Sequence, residues 1–88
     1  MQQQESLLQF PCAFTIKAMG IDQEGFERRV VELVRHHYPQ LDAQAVTTRS
    51  SNGGKYLAVS VTITAESRAQ LDAIYQDLSS HPQVLVSL

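Results

Sequence analysis

The sequence predicts an α+β sandwich in which a four-stranded antiparallel sheet carries two helices on one face, in the order β-α-β-β-α-β. Three observations lead there. Segments whose apolar residues alternate with a period of two are separated by segments whose apolar residues recur at helical spacing. Both helical segments have a single apolar stripe and the clearest strand has a single apolar face, so two layers satisfy every pattern. The chain has 88 residues with 43% hydrophobic and 18% charged, which is folded-protein composition and room for one domain.

Met1 to Gln9 is Gln-rich and reads as a short, partly ordered leader, leaving residues 10–88 as the domain. Phe10 to Met19 places Phe14, Ile16 and Ala18 on one side and Thr15, Lys17 and Met19 on the other, the period of a half-buried strand. Gly20-Ile21-Asp22 breaks that strand, and Asp22 is placed as the N-cap of the next element. Phe26, Val30, Leu33, Val34 and His37 then form one helical stripe, with Glu24 and Arg28 four apart on the solvated side. Gly25 in a first helical turn costs about 1 kcal/mol against Ala and so calls for a reason. Tyr38-Pro39 ends the helix, because the residue before Pro is pushed out of the α region.

A Thr-rich second strand, Ala43 to Ser50, is followed by Ser50-Ser51-Asn52-Gly53-Gly54, a strong turn signal. Lys55 to Thr64 is the best strand, with Leu57, Val59, Val61 and Ile63 alternating with Tyr56, Ala58, Ser60 and Thr62. Thr64 is placed to cap a helix over Ala65 to Ser79, whose stripe is Leu71, Ile74, Tyr75 and Leu78. His81-Pro82 breaks it, and Gln83 to Leu88 is the last apolar strand. With right-handed crossovers this order gives the ferredoxin-like arrangement, first and third strands central, second and fourth at the edges.

Several functions are disfavoured. The net charge is −2 and the cations are scattered, with Arg28-Arg29 the sole adjacent pair, which is a poor balance for nucleic acid. The open sheet face offers one aromatic, Tyr56, where RNA-binding sheets stack bases on several. Cys12 is the single cysteine and reads as a small buried thiol. The longest uncharged runs, Ser6 to Ile16 and Tyr56 to Ala65, fall short of the ~20 residues that span a bilayer. No basic then apolar leader opens the chain, so no membrane contact and a cytoplasmic location are expected. His36 and His37 are adjacent, about 100° apart on a helix, and do not converge on a metal. The carboxylates Glu24, Glu27, Glu32, Asp72 and Asp77 lie beside Arg28, Arg35 and Arg68 as solvated faces. Nucleotide-loop and nucleophile-elbow motifs are absent. No catalytic residue, metal or cofactor is expected, and the chain reads as a non-enzyme.

Two regions remain as sites. Thr15, Lys17, Met19, Tyr56, Ser60 and Thr62 form a moderately polar open sheet face suited to burial against another sheet or a partner. Gln83 to Leu88 is an uncharged edge suited to pairing with a second copy or a partner.

Phe10-Pro11 followed by Phe14, then Ile16-Lys17-Ala18-Met19-Gly20, Ser50-Ser51 through Gly53 and Tyr56, and Val59-Ser60-Val61-Thr62-Ile63 run over nearly the whole chain. In these the sequence resembles the YbeD-like family of small bacterial domains of unknown function. That resemblance implies a ferredoxin-like fold similar to the ACT regulatory domains, which bind amino acids and control metabolic enzymes. Members often sit beside genes for lipoate attachment. ACT domains commonly leave the first strand through an Asp-x-Pro-Gly-apolar turn that contacts the ligand. Here Asp22-Gln23-Glu24-Gly25-Phe26 keeps the Asp, the Gly and the apolar residue, with Glu24 in place of Pro. The comparison gives Gly25 a role, since a bare backbone at a helix start admits a carboxylate, although Glu24 repels an anion. It implies a ligand site at Gly20, Ile21, Asp22, Gly25 and Phe26. The function expected is a regulatory module for a small metabolite or a metabolic enzyme, the alternative being a protein adaptor with no small ligand.

Overall fold

In a computed structural model that describes residues 8–88, the strands are β1 (Cys12–Ile21), β2 (Val46–Ser50), β3 (Tyr56–Ala65) and β4 (Val86–Ser87). The helices are α1 (Phe26–His37), between β1 and β2, and α2 (Arg68–Ser80), between β3 and β4. The sheet order is β2-β3-β1-β4 with every pairing antiparallel, the ferredoxin-like α+β arrangement with β1 and β3 central. The leader proposed for residues 1–9 lies outside the described residues except for Leu8 and Gln9.

One face of the sheet meets both helices. Ile16 and Ala18 of β1 and Val59, Val61, Ile63 and Ala65 of β3 are buried beneath Phe26, Val30 and Val34 of α1 and Leu71, Ile74 and Leu78 of α2. His37, read as part of the apolar stripe, is half-buried and sits 2.6 Å from the Asp77 carboxylate, tying α1 to α2. Gln70 adds a second tie by donating to the His37 carbonyl at 3.1 Å.

Several element boundaries differ from those the sequence predicts. β1 does not end at Met19: Gly20 pairs with Leu57 and Ile21 with Tyr56, so the strand passes through the expected break. Gly20 is there because a Cβ would run into the Phe26 ring, 2.6 Å from Cε1, and into the Gln83 carbonyl. Asp22 is not the N-cap of α1. A turn intervenes, closed by the Phe26 N–H donating to the Gln23 carbonyl at 3.1 Å, and Gly25 precedes the helix with φ at 87° and no side-chain cap. Gly25 therefore answers a left-handed backbone, which a Cβ disfavours by ~1–2 kcal/mol, and lies outside the helix it was expected to weaken.

The second strand is shorter than Ala43 to Ser50. Ala43–Ala45 is a 3-10 turn, with the Asp42 carboxylate accepting from the Gln44 N–H at 2.9 Å. The second helix starts at Arg68, since Ala65 still pairs with Cys12 in the sheet and Ser67, not Thr64, caps the helix by accepting from the Gln70 N–H at 3.1 Å. Gln70 reaches back to accept from the Glu66 N–H at 2.7 Å, a variant of the Ser-x-x-Gln capping box. β4 is confined to Val86–Ser87 because Val84 folds back on the His81 carbonyl, although the ladder to β1 reaches on to Leu88.

The Tyr75 hydroxyl donates to the main-chain oxygen of Leu88 at 2.7 Å and so fastens the end of the chain to α2. Burial raises the Tyr75 pKa above its ordinary value of 10.0. The folded chain then keeps a proton that the unfolded chain has lost, so this contribution is complete below pH 10.0 and disappears as pH rises through the higher folded value. Tyr75→Phe is expected to make the alkaline fall in urea-unfolding stability shallower and to speed hydrogen exchange at the paired amides of Lys17 and Leu88. An unchanged alkaline limb would show that the hydroxyl carries no such linkage.

Candidate functional site

The β period of two sends alternate side chains of each strand away from the helices, and the register decides which of them become neighbours. Across β1 and β3, Thr15 pairs with Thr62, Lys17 with Ser60, Met19 with Ala58, and Ile21 with Tyr56. All six residues expected on the open face, Thr15, Lys17, Met19, Tyr56, Ser60 and Thr62, thus share the side of the sheet opposite the described helices. The Thr15 and Thr62 hydroxyls are hydrogen-bonded to each other at 2.9 Å.

The register adds residues that the sequence reading missed. On β2, Thr47 stands beside Ser60 and Arg49 beside Ala58. On the other side Val86 stands beside Met19, and Leu88 exchanges both main-chain hydrogen bonds with Lys17 and so lies next to it. Ile21, Tyr56, Val86 and Leu88 keep 47%, 39%, 44% and 64% of their surface exposed, a concentration of wet apolar area in one corner of one face. The Lys55 ammonium lies 5.4 Å from the Tyr56 ring centroid. Ile21 was missed because glycine beside it imitates a strand end. Arg49 was missed because only pairing fixes the face of a weakly patterned strand.

A second feature is an open cleft of about 660 Å³ along α1, with Asp22, Gly25, Arg28, Val31, Val46 and Leu57 among the residues lining it. Its lining mixes apolar side chains with charges of both signs, Glu27 and Arg35 among them. Arg35 is occupied by the Leu41 carbonyl, 3.1 Å away. Asp22 is held through its N–H, which donates to the Lys55 carbonyl at 2.8 Å, and through the Ser50 hydroxyl at 3.5 Å. The five residues expected to form a ligand site do not share a surface. Asp22 and Gly25 line the cleft, Gly20 and Phe26 are buried, and Ile21 faces out from the opposite side of the sheet.

Among the described residues no group of three or more His, Cys, Asp or Glu side chains is arranged to hold a metal ion. His36 packs edge-on against His37 with ring centroids 4.9 Å apart, and Cys12 is half-buried at the start of β1.

Comparison with known proteins gives a consistent result. A family model described as a protein of unknown function, DUF493, matches residues 5–88. The chain is 45% identical over 85 residues to the UPF0250 protein NE1487 of Nitrosomonas europaea, covering 97% of this chain and 98% of that one. It is 48% identical over 84 residues to a UPF0250 protein of Paraburkholderia phytofirmans, covering 96% and 94%. The solution structure of protein HP0495 from H. pylori superposes with a TM-score of 0.69 at 15% identity, covering 92% of this chain and 85% of that one, which shows a shared fold.

Proposed function

The chain belongs to the DUF493 family of proteins of unknown function, and we propose that it is a non-catalytic regulatory module that docks on a partner protein through its uncovered sheet face. In the likeness to ACT domains the partner is a metabolic enzyme, met in the cytoplasm. One observation carries the reading: the exposed residues Ile21, Tyr56, Val86 and Leu88 lie together on the face opposite both described helices. Water around apolar surface costs ~25 cal/mol per Å², so covering such a patch favours association. Regulation follows if the partner exists in two states and only one presents a surface that fits the sheet, because docking then shifts its equilibrium by the difference in affinity. No helix of the described residues is long and apolar enough to cross a membrane, and the docking proposed here needs none.

The cleft along α1 supports the second reading, a small-ligand site, and one experiment separates the two. A photo-crosslinking residue is placed in cells at Thr62, on the open face, or at Gln76, on the exposed side of α2. A discrete protein adduct is expected from Thr62 and not from Gln76. Tyr56→Asp should abolish it, while Arg28→Glu, which reverses a charge on the cleft, should leave it intact. Adducts from Gln76 instead, or loss of the Thr62 adduct in Arg28→Glu alone, would move the function to the helices or the cleft.

A further inference from the structure

Among the described residues, the charged side chains on the sheet face opposite the helices are of one sign. None of the eight described acidic residues, Asp22 to Asp77, lies in a strand. Lys17 on β1 and Arg49 on β2 project from that face, and Lys55 adds its ammonium beside Tyr56 at the end of β3. This happens in a chain whose net charge is −2, so the segregation runs against the bulk composition. The cations border the apolar corner. Arg49 lies across Ala58 from Met19 and Val86, Lys17 lies between Ser60 and Leu88, and Lys55 lies next to Tyr56.

We infer that the partner of this face is an acidic protein surface, one that presents Asp and Glu side chains around a ridge of aliphatic or aromatic residues. The inference rests on the docking reading above and names the chemistry of its partner. Complementary charge steers encounter and excludes wrong partners, while the apolar ridge supplies the buried area. A second copy fits less well. Stacking two such faces about a twofold axis sets Lys17 and Arg49 against the same cations. The helix side is of mixed charge and offers no acidic ridge in exchange: α1 sets Arg28, Arg29 and Arg35 against Glu27 and Glu32, and on α2 Asp72 is paired with Arg68 and Asp77 with His37. Single-stranded nucleic acid also fits less well, because bases stack on aromatic rings and this corner is built mainly from Ile21, Met19, Val86 and Leu88.

The test is an amide-resolved NMR titration of the full chain with two synthetic helical peptides. They share one Leu/Phe ridge and differ in having Glu or Lys on its flanks. The Glu peptide is expected to shift the amides of Lys17, Met19, Arg49 and Tyr56 and to bind about tenfold more tightly than the Lys peptide. The gap should close as salt rises from ~0.1 M to ~1 M, where the Debye length falls from ~10 Å to ~3 Å. The double variant Lys17→Glu/Arg49→Glu, at two exposed positions, should reverse the preference while its circular dichroism stays unchanged. Equal binding of both peptides on this face would overturn the acidic partner and leave docking in place. If neither peptide moves these amides, docking on the face falls as well. Two further arms name the rival occupants: saturable shifts of the same amides with a single-stranded oligonucleotide, or concentration-dependent dimerisation in light scattering that broadens them, would each overturn the inference.

Discussion

Gly20→Ala is expected to lower unfolding stability by about 3 kcal/mol or more, because overpacking of a rigid site costs ~1–3 kcal/mol and exceeds that where the neighbour cannot yield. The added methyl would meet the Phe26 ring 2.6 Å from Cε1 and 2.7 Å from Cζ on one side, and the Gln83 carbonyl on another. A flexible side-chain tip can swing away from such a contact; a main-chain carbonyl and a fully buried ring have nowhere to go. Small domains hold only ~5–15 kcal/mol in total, so the variant should unfold at a markedly lower urea concentration with an unchanged slope. A loss below about 1 kcal/mol would mean that the ring and the Gln83 segment do not close over this strand. The position also matters for the docking face. Gly20 lets β1 run on to Ile21, and without that last pairing Ile21 would not stand beside Tyr56.

Gly20 also marks the boundary of what the sequence could reveal. The layer architecture was legible because burial writes a period into each element: Val59, Val61 and Ile63 alternate along β3, and Phe26, Val30 and Val34 recur along α1. Strand order followed from the element order and the handedness of crossovers. Glycine gives no such signal, since the same residue serves a strand end, a turn or a close approach. At Gly20 the deciding partners, Phe26 and Gln83, are remote in sequence. Asp22 and Gly25 illustrate the same limit, because an Asp at a helix start and a Gly able to take a left-handed backbone both announce a beginning, and only the tertiary turn chose Gly25. The start of α2 is different. Ser67 and Gln70 form a capping pattern that was there to be read, and the Thr64 reading passed over it. For the site, β1 and β3 showed which residues face away from the core. The cations and aliphatics contributed by β2 and the chain end needed the pairing register, which in a short Thr-rich strand and a two-residue strand leaves almost no trace in sequence.

Phe26→Ala is expected to cost ~3–5 kcal/mol, the range for emptying a buried aromatic site. The ring is fully buried at the first residue of α1, lying over Gly20, so it anchors the helix to β1 directly after the turn that carries Asp22 and Gly25. A ring that served chiefly as a ligand contact would be exposed in the free chain and could be removed with little loss of stability. Phe26→Leu should recover part of the deficit, since it refills some of the volume. The two positions should also couple. In Gly20→Ala/Phe26→Ala the clash with the ring is gone and the clash with the Gln83 carbonyl remains, so the double variant should lose less than the sum of the singles, by ~0.5–3 kcal/mol. Strict additivity in urea unfolding would show that the ring does not rest on Gly20. The coupling in turn predicts where the damage appears: the ladder amides of Gly20 and Leu57, next to the anchor, should exchange faster in Phe26→Ala than those of Ile16 and Val61, which pair farther from it.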